Sequence, residues 1–226
     1  ENGAPTLEAA VQHGYWMIES DIRETKDGKP ITQHDPDFKR FYGDPRKAGE
    51  LTLAEVKALN AKPGGGSPLT FAELADLCKG RLRLMLDVKE PSHRAAFYDE
   101  MERELRRTGL LESAYVIGTE ESRRRFLGKA RVGVNFTTLE TAVKQGEDVG
   151  KRYFLFEWGK TLTEAQVRFA QQKNVPVVPS VNTFHYSEAG QDPMKNGTAD
   201  IRRLIPMGVT EFQIDSVYEP AFQTTK

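Results

Sequence analysis

Two carboxylates and an imidazole fall within one short stretch near the start of the chain, Trp16 to Asp35, WMIESDIRETKDGKPITQHD. Side chains alternate along a strand, so Glu19 and Asp21 share one face with Met17, while Trp16, Ile18 and Ile22 share the other. Carboxylates that close repel, and a proton, a lysine or arginine, or a divalent metal has to neutralise them. Asp27-Gly28 between two alternating runs predicts a hairpin with a two-residue turn. Counting outward from that turn, Lys26 faces Lys29, Glu24 faces Ile31 and Asp21 faces His34. This register puts Pro30 on a non-hydrogen-bonded pair, where its missing N–H does least harm. It also lays His34 beside Asp21, so the stretch offers both a metal site and a proton-transfer group.

The elements that must position these groups follow from the patterning. Arg81–Glu90, RLRLMLDVKE, repeats the same design: Leu84, Leu86 and Val88 on one face, Met85, Asp87 and Lys89 on the other. A short helix is expected over Leu7–His13, capped by Thr6 and stopped by Gly14. Thr52-Leu-Ala-Glu55 and Thr70-Phe-Ala-Glu73 are capping boxes that open two helices. Residues 35–67 read as an irregular excursion rich in Pro, Gly, charge and aromatics. A helix fits Ser92–Thr108. Further strands are expected at Ala114–Ile117, Arg131–Asn135, Tyr153–Glu157, Val175–Asn182 and Glu211–Asp215. Helices are expected at Glu120–Leu127, Thr138–Glu147, Thr163–Lys173 and Ala199–Pro206.

Strands alternating with helices argue for a parallel sheet covered on both faces. Seven parallel-type strands can be counted, and eight would close a (β/α)8 TIM barrel of about 250 residues. Glu1-Asn2-Gly3-Ala4-Pro5 reads like the middle of a loop, so the first strand is expected upstream of Glu1. The whole of 1–226 is expected to form a single barrel domain. A doubly wound open sheet is the alternative, and it lacks a glycine-rich phosphate loop after any strand. Barrel sites lie at the C-terminal ends of strands, which is where Glu19, Asp21, Asp87, Lys89, Asn182 and Asp215 fall.

With 32 basic and 33 acidic residues the net charge is −1, and no basic stripe asks for a nucleic-acid partner. The 38% hydrophobic and 29% charged fractions suit a soluble globular chain. No run of about 18 or more apolar residues exists to span a membrane. A single cysteine, Cys78, excludes an internal disulfide and a multi-cysteine zinc site. Cytoplasmic and exported locations both remain open, as does the oligomeric state.

Glu19-Ser-Asp21, Thr25-Lys-Asp-Gly28, His34-Asp35-Pro36 and Leu51-Thr-Leu-Ala-Glu55-Val resemble the glycerophosphodiester phosphodiesterase family, in its order and at its spacings. The resemblance is dense through Leu59, resumes at Leu86-Asp-Val-Lys89 and returns at Gly208-Val-Thr-Glu-Phe-Gln-Ile-Asp215. It implies a metal-dependent (β/α)8 barrel of the phospholipase C-like phosphodiesterase type. The implied reaction is hydrolysis of glycerophosphodiesters, small molecules of lipid and glycerol metabolism, to sn-glycerol 3-phosphate and an alcohol.

The resemblance further implies that Glu19, Asp21 and Asp87 bind Ca2+ or Mg2+, that Lys89 contacts phosphate, and that His34 is one of two catalytic histidines. Glu1-Asn2 resembles the Glu-Asn after the family's first strand. The family's His-Arg-Gly segment, with the other histidine and a phosphate-binding arginine, would precede it. Two departures concern residues present here. Asp87 stands where the family usually has Glu, and Ser180-Val-Asn-Thr-Phe-His-Tyr186 stands where it usually has a Trp-Thr pair.

A carboxylate, Asp21 or Asp35, would hold His34 in one tautomer. Lys89 is read either as the phosphate contact or as a counter-ion for Asp87. Trp158, His185 and Asp215, beyond later strand ends, are candidate site-lining residues. Phe38, Phe41 and Tyr42 either pack the excursion, the favoured reading, or cover a glycerol or lipid group, and His13 and His93 are read as surface residues. Two other functional classes stay open: a sphingomyelinase-type phospholipase D, and a catalytically inactive binding module of the same fold.

Overall fold

A computed structural model describes residues 2–62 and 66–222. The chain divides into two compact units, Glu1–Arg131 and Val132–Lys226.

The first unit opens with α1 (Ala4–Gln12), which starts earlier than expected, with Gly3 rather than Thr6 at its N-cap. Pro5 explains the shift, because a proline in the first turn lacks only an N–H that would have no partner there. Strand β1 (Met17–Glu24) then turns back into β2 (Pro30–Thr32). The turn differs from the expected one. Its loop has three residues, Lys26-Asp27-Gly28, closed by Thr25 N–H to the Lys29 carbonyl and Gly28 N–H to the Thr25 carbonyl, both 2.9 Å. Gly28 adopts φ +82°, completing a type I turn followed by a left-handed glycine. Side chains decide between the two loops. The Thr25 hydroxyl accepts the Lys29 N–H at 2.9 Å, and the Asp27 carboxylate is drawn to the Thr25 hydroxyl and the Leu53 N–H.

Every cross-strand pair therefore slips by one: Ile22 opposes Thr32, Arg23 opposes Ile31 and Glu24 opposes Pro30. Gln33, not His34, stands across from Asp21, and its N–H donates to the Asp21 carbonyl at 3.0 Å.

The excursion is ordered where described. β3 (Asp37–Phe38) pairs antiparallel with β4 (Asp44–Lys47) around the short α2 (Lys39–Tyr42). Phe38, Ala48, Leu51 and Val56 close over Ile31 of β2, with Tyr42, Leu53 and Leu59 at the edge. These apolar contacts turn a loop-like composition into a small packed layer. The expected loop at 62–68 lies partly outside the described residues.

Both capping boxes form, at the starts of α3 (Leu53–Lys57) and α4 (Phe71–Cys78). Helix α4 buries Cys78 completely, and burial pushes its thiol up to about 12. At pH 8 the folded chain should carry roughly 10³-fold less thiolate than the unfolded chain. Labelling with a disulfide reagent should therefore be fast only in denaturant. Below about pH 9 both states keep the proton; from about 9 to about 12 the unfolded thiol ionises first, so the stabilisation from this burial declines as pH rises.

Strand β5 (Arg83–Val88) runs parallel to β1, and β6 (Tyr115–Gly118) runs parallel to β5. Between them α5 (Ala95–Thr108) supplies the crossover that a parallel pair needs, and α6 (Glu120–Phe126) follows β6. Leu84, Met85, Leu86 and Val88 are all buried, so β5 is covered on both faces.

The second unit continues the alternation. Strands β7 (Arg131–Val134), β8 (Tyr153–Trp158), β9 (Val177–Val181) and β10 (Gln213–Ile214) are parallel neighbours in that order. They are separated by α7 (Phe136–Lys144), α8 (Val149–Arg152), α9 (Glu164–Gln172), α10 (Thr183–Ser187) and α11 (Pro193–Leu204). Helix α10 was not expected. Helix α11 begins earlier than Ala199, because the Asp192 carboxylate accepts the Lys195 N–H at 3.0 Å and Pro193 fits the first turn. Among the described residues, no helix is long and apolar enough to cross a membrane.

Candidate functional site

Parallel pairing of β1 with β5 sets Asp21 directly opposite Asp87. Neighbouring strands lie about 4.8 Å apart and paired residues point the same way, so the two carboxylates meet above the strand ends. Glu19, two residues earlier on the same face, reaches up with its longer side chain. The three carboxylates offer one oxygen each, all within 4.8 Å of one another. They form the single such group of three or more metal-ligating side chains among the described residues.

Lys89 follows Asp87 on the same face and bridges the pair. Its ammonium lies 2.7 Å from Asp21 Oδ1 and 2.6 Å from Asp87 Oδ2. Burial alone would lower its pKa, but the Asp87 and Asp21 charges outweigh burial and hold it above the ordinary lysine value. The counter-ion reading of Lys89 matches these distances, and the pairing extends to Asp21 as well. Three carboxylates and one ammonium leave two negative charges, the charge one divalent cation would cancel. The donors are all carboxylate oxygens, which suit a hard ion such as Ca2+ or Mg2+.

Asn2 completes the cluster and was not singled out for a role by its spacing. Its side-chain amide donates to Asp21 Oδ2 at 2.7 Å, and its carbonyl oxygen accepts the Asp21 N–H at 3.0 Å and the Ser20 hydroxyl at 2.9 Å. The Thr32 hydroxyl bonds its backbone carbonyl at 2.8 Å. Asn2 thereby occupies one Asp21 oxygen and leaves the other toward Lys89. Glu1 lies outside the described residues.

His34 sits just past β2, with its side chain 52% exposed. Its Nδ1 bonds Asp35 Oδ1 at 2.8 Å, and Arg40 Nε lies 2.8 Å from Asp35 Oδ2. Burial would raise the Asp35 carboxyl, but the His34 hydrogen bond and the Arg40 charge keep it below the usual range. Of the two orienting carboxylates expected, Asp35 bonds the ring at Nδ1.

A cleft of about 1130 Å³ opens beside Asp87 and Lys89 and extends past Glu90 and Glu24. His93 lines it, and the surface reading of this residue is corrected. Its side chain is 1% exposed, Nδ1 bonds Glu24 Oε2 at 2.9 Å, and the ring stacks on Phe97 at 4.1 Å. The signal in the sequence was Phe97 four residues on, one helical turn away.

The remaining candidates belong to the second unit. Trp158 ends β8 with 47% exposure and stacks on the buried His185 at 4.6 Å. Burial and the nearby Lys160 ammonium hold His185 below the ordinary imidazole value. Asp215 follows β10 and is saturated by Asn182 Nδ2 at 3.1 Å and by the Thr183 N–H and hydroxyl, both 2.7 Å. These bonds tie β10 to the start of α10.

Parallel strands alternating with helices, with acidic groups and a lysine gathered where two of those strands end, are the arrangement of a (β/α)8-type fold with its site at the C-terminal strand ends. The chain belongs to the glycerophosphoryl diester phosphodiesterase family, whose model matches residues 1–205. It is accordingly a phosphoric diester hydrolase. Solved structures share its fold. A glycerophosphodiester phosphodiesterase from Agrobacterium tumefaciens is 15% identical with a TM-score of 0.75, covering 98% of this chain and 92% of that one. A glycerophosphoryl diester phosphodiesterase from Parabacteroides distasonis is 15% identical with a TM-score of 0.74, covering 100% and 83%. An Oleispira antarctica phosphodiesterase in complex with the product sn-glycerol-3-phosphate is 16% identical with a TM-score of 0.70, covering 99% and 92%.

Proposed function

We propose that Glu19, Asp21 and Asp87 together hold one divalent cation, Ca2+ or Mg2+, and that the chain hydrolyses glycerophosphodiesters to sn-glycerol 3-phosphate and an alcohol. The observation that carries this reading is the mutual reach of three carboxylates at the ends of two paired strands. The product fits that held by the Oleispira antarctica relative. A bound divalent ion supplies Lewis-acid polarisation of the phosphoryl oxygens.

The chain's own residues do the rest. Lys89, charged and aimed over Asp21 and Asp87, adds a fixed positive charge where the anionic phosphoryl group sits. Asn2 keeps one Asp21 oxygen occupied and so orients the other. Ionised Asp35 favours the His34 tautomer with a proton on Nδ1, which leaves Nε2 to exchange a proton with the reacting oxygen. Water adds its oxygen to phosphorus, the P–O bond to the alcohol breaks, and the departing alcohol carries a proton.

The test is product analysis with glycerophosphocholine. Release of sn-glycerol 3-phosphate and choline is expected. Exhaustive chelation should lower turnover on the order of 10²-fold, with recovery on adding Mg2+ or Ca2+. Calorimetric titration should show ion binding that Asp87→Asn weakens. Unchanged turnover after chelation would remove the metal from the proposal, and phosphocholine as product would reassign the bond cleaved.

A further inference from the structure

We infer that Arg23 is a positioning residue for His34, fixing where the imidazole stands relative to the carboxylates. The inference rests on the proton-transfer role proposed for His34.

Arg23 continues the row of Glu19 and Asp21 along one face of β1. The β1–β2 ladder ends near Thr32, and the Gln33 N–H makes the last bond of that kind. Beyond it the His34 carbonyl accepts two bonds from Arg23, from Nε at 3.1 Å and from Nη2 at 2.6 Å. Both come from one rigid plane, so they fix direction as well as distance. On the other side Nη1 is bonded by Glu90, in the segment leaving β5.

Arg23 is only 7% exposed. Burying a guanidinium is costly unless its donors are matched, and a hydrophobic residue of similar volume is often as stable. A buried arginine that joins three chain segments therefore points to a geometric task. Those segments are β1, which carries Glu19 and Asp21; the exit of β5, which carries Asp87 and Lys89; and the backbone of His34. The His34 ring is half exposed and bonded at Nδ1 to its chain neighbour Asp35, so the anchor on the His34 backbone sets where that pair stands. Sequence position explains why this function falls to a side chain: the slip of the hairpin register leaves His34 past the end of the ladder.

The test is a double-mutant cycle. Arg23→Lys keeps the charge but cannot reproduce the two-pronged bond. It should lower kcat roughly 30- to 100-fold, the scale of an ångström's misplacement. KM and divalent-ion affinity should change by less than about threefold, because the metal-binding carboxylates are untouched. In the His34→Ala background the same substitution should change the residual kcat by less than about threefold, since the carbonyl it holds no longer carries an imidazole. Wild-type kcat in Arg23→Lys, or equal losses in both backgrounds, would overturn the inference. Thermal denaturation reports whether the variant folds. If it does not, Glu90→Gln, which loosens the other end of Arg23, should show a smaller loss that again vanishes without His34; a loss independent of His34 would also overturn the inference. Full turnover of His34→Ala alone would instead remove the catalytic reading beneath it, a distinguishable failure.

Discussion

His34→Ala is expected to lower kcat by roughly 10²- to 10⁴-fold, the range for losing a positioned general acid or base. Divalent-ion affinity should stay within about twofold of wild type, because the imidazole contributes no oxygen ligand. The geometry behind this is the Arg40–Asp35–His34 relay. Arg40 and His34 hold the Asp35 carboxyl below its usual range, so it remains an anion well into acid. In the proposed mechanism the anion at Nδ1 orients the ring and Nε2 moves the proton. Asp35→Asn should accordingly reproduce part of the loss, by relaxing tautomer and orientation. Steady-state kinetics with glycerophosphocholine and calorimetric ion titration on the same preparations separate the two quantities. Wild-type turnover in His34→Ala removes His34 from the mechanism.

Gly118→Ala is expected to be the most damaging single methyl group in the first unit. Gly118 ends β6 at φ +92°, a conformation that side chains rarely adopt. A Cβ built there would overlap the Val88 carbonyl oxygen and lie 2.8 Å from Asp87 Oδ1. The first contact is strand backbone, which cannot yield as a flexible side-chain end would. The second is one of the three clustered carboxylates. We expect a loss of about 3–4 kcal/mol in folding stability, from the combined conformational strain and overlap. Denaturant unfolding measures that directly. At temperatures where the variant remains folded, its divalent-ion affinity should also fall, because Asp87 must turn away to admit the methyl group. Unaltered stability together with unaltered ion binding would show that this close approach is not maintained in solution.

Much of the frame was readable from patterning. Thr52/Glu55 and Thr70/Glu73 announced two helices because a capping box is a local device, complete within four residues. The alternation of RLRLMLDVKE announced a strand because a period of two is also local. Other features were decided by competition between local bonds and distant ones. The hairpin shows this best. Asp27-Gly28 pointed to a two-residue turn, but the Asp27 carboxylate is taken by Thr25 and by the Leu53 N–H far along the chain, and the loop grew by one residue. That single residue moved His34 off Asp21 and onto Asp35. His93 was misread for a related reason: a histidine near a helix start looks solvated until the fold brings Glu24 and Phe97 around it.

The sequence by itself determined that Glu19 and Asp21, and Asp87 and Lys89, share a face near the ends of two strands, because they lie at alternate positions. It also determined the alternation of strand and helix, since hydrophobic period and caps are properties of neighbouring residues. Only the tertiary structure decided how those groups are arranged: Asp21 opposite Asp87, Asn2 gripping Asp21, Arg23 holding the His34 backbone. Each of these joins residues far apart in the chain, and nothing in local spacing encodes which distant partner will satisfy a buried charge or amide.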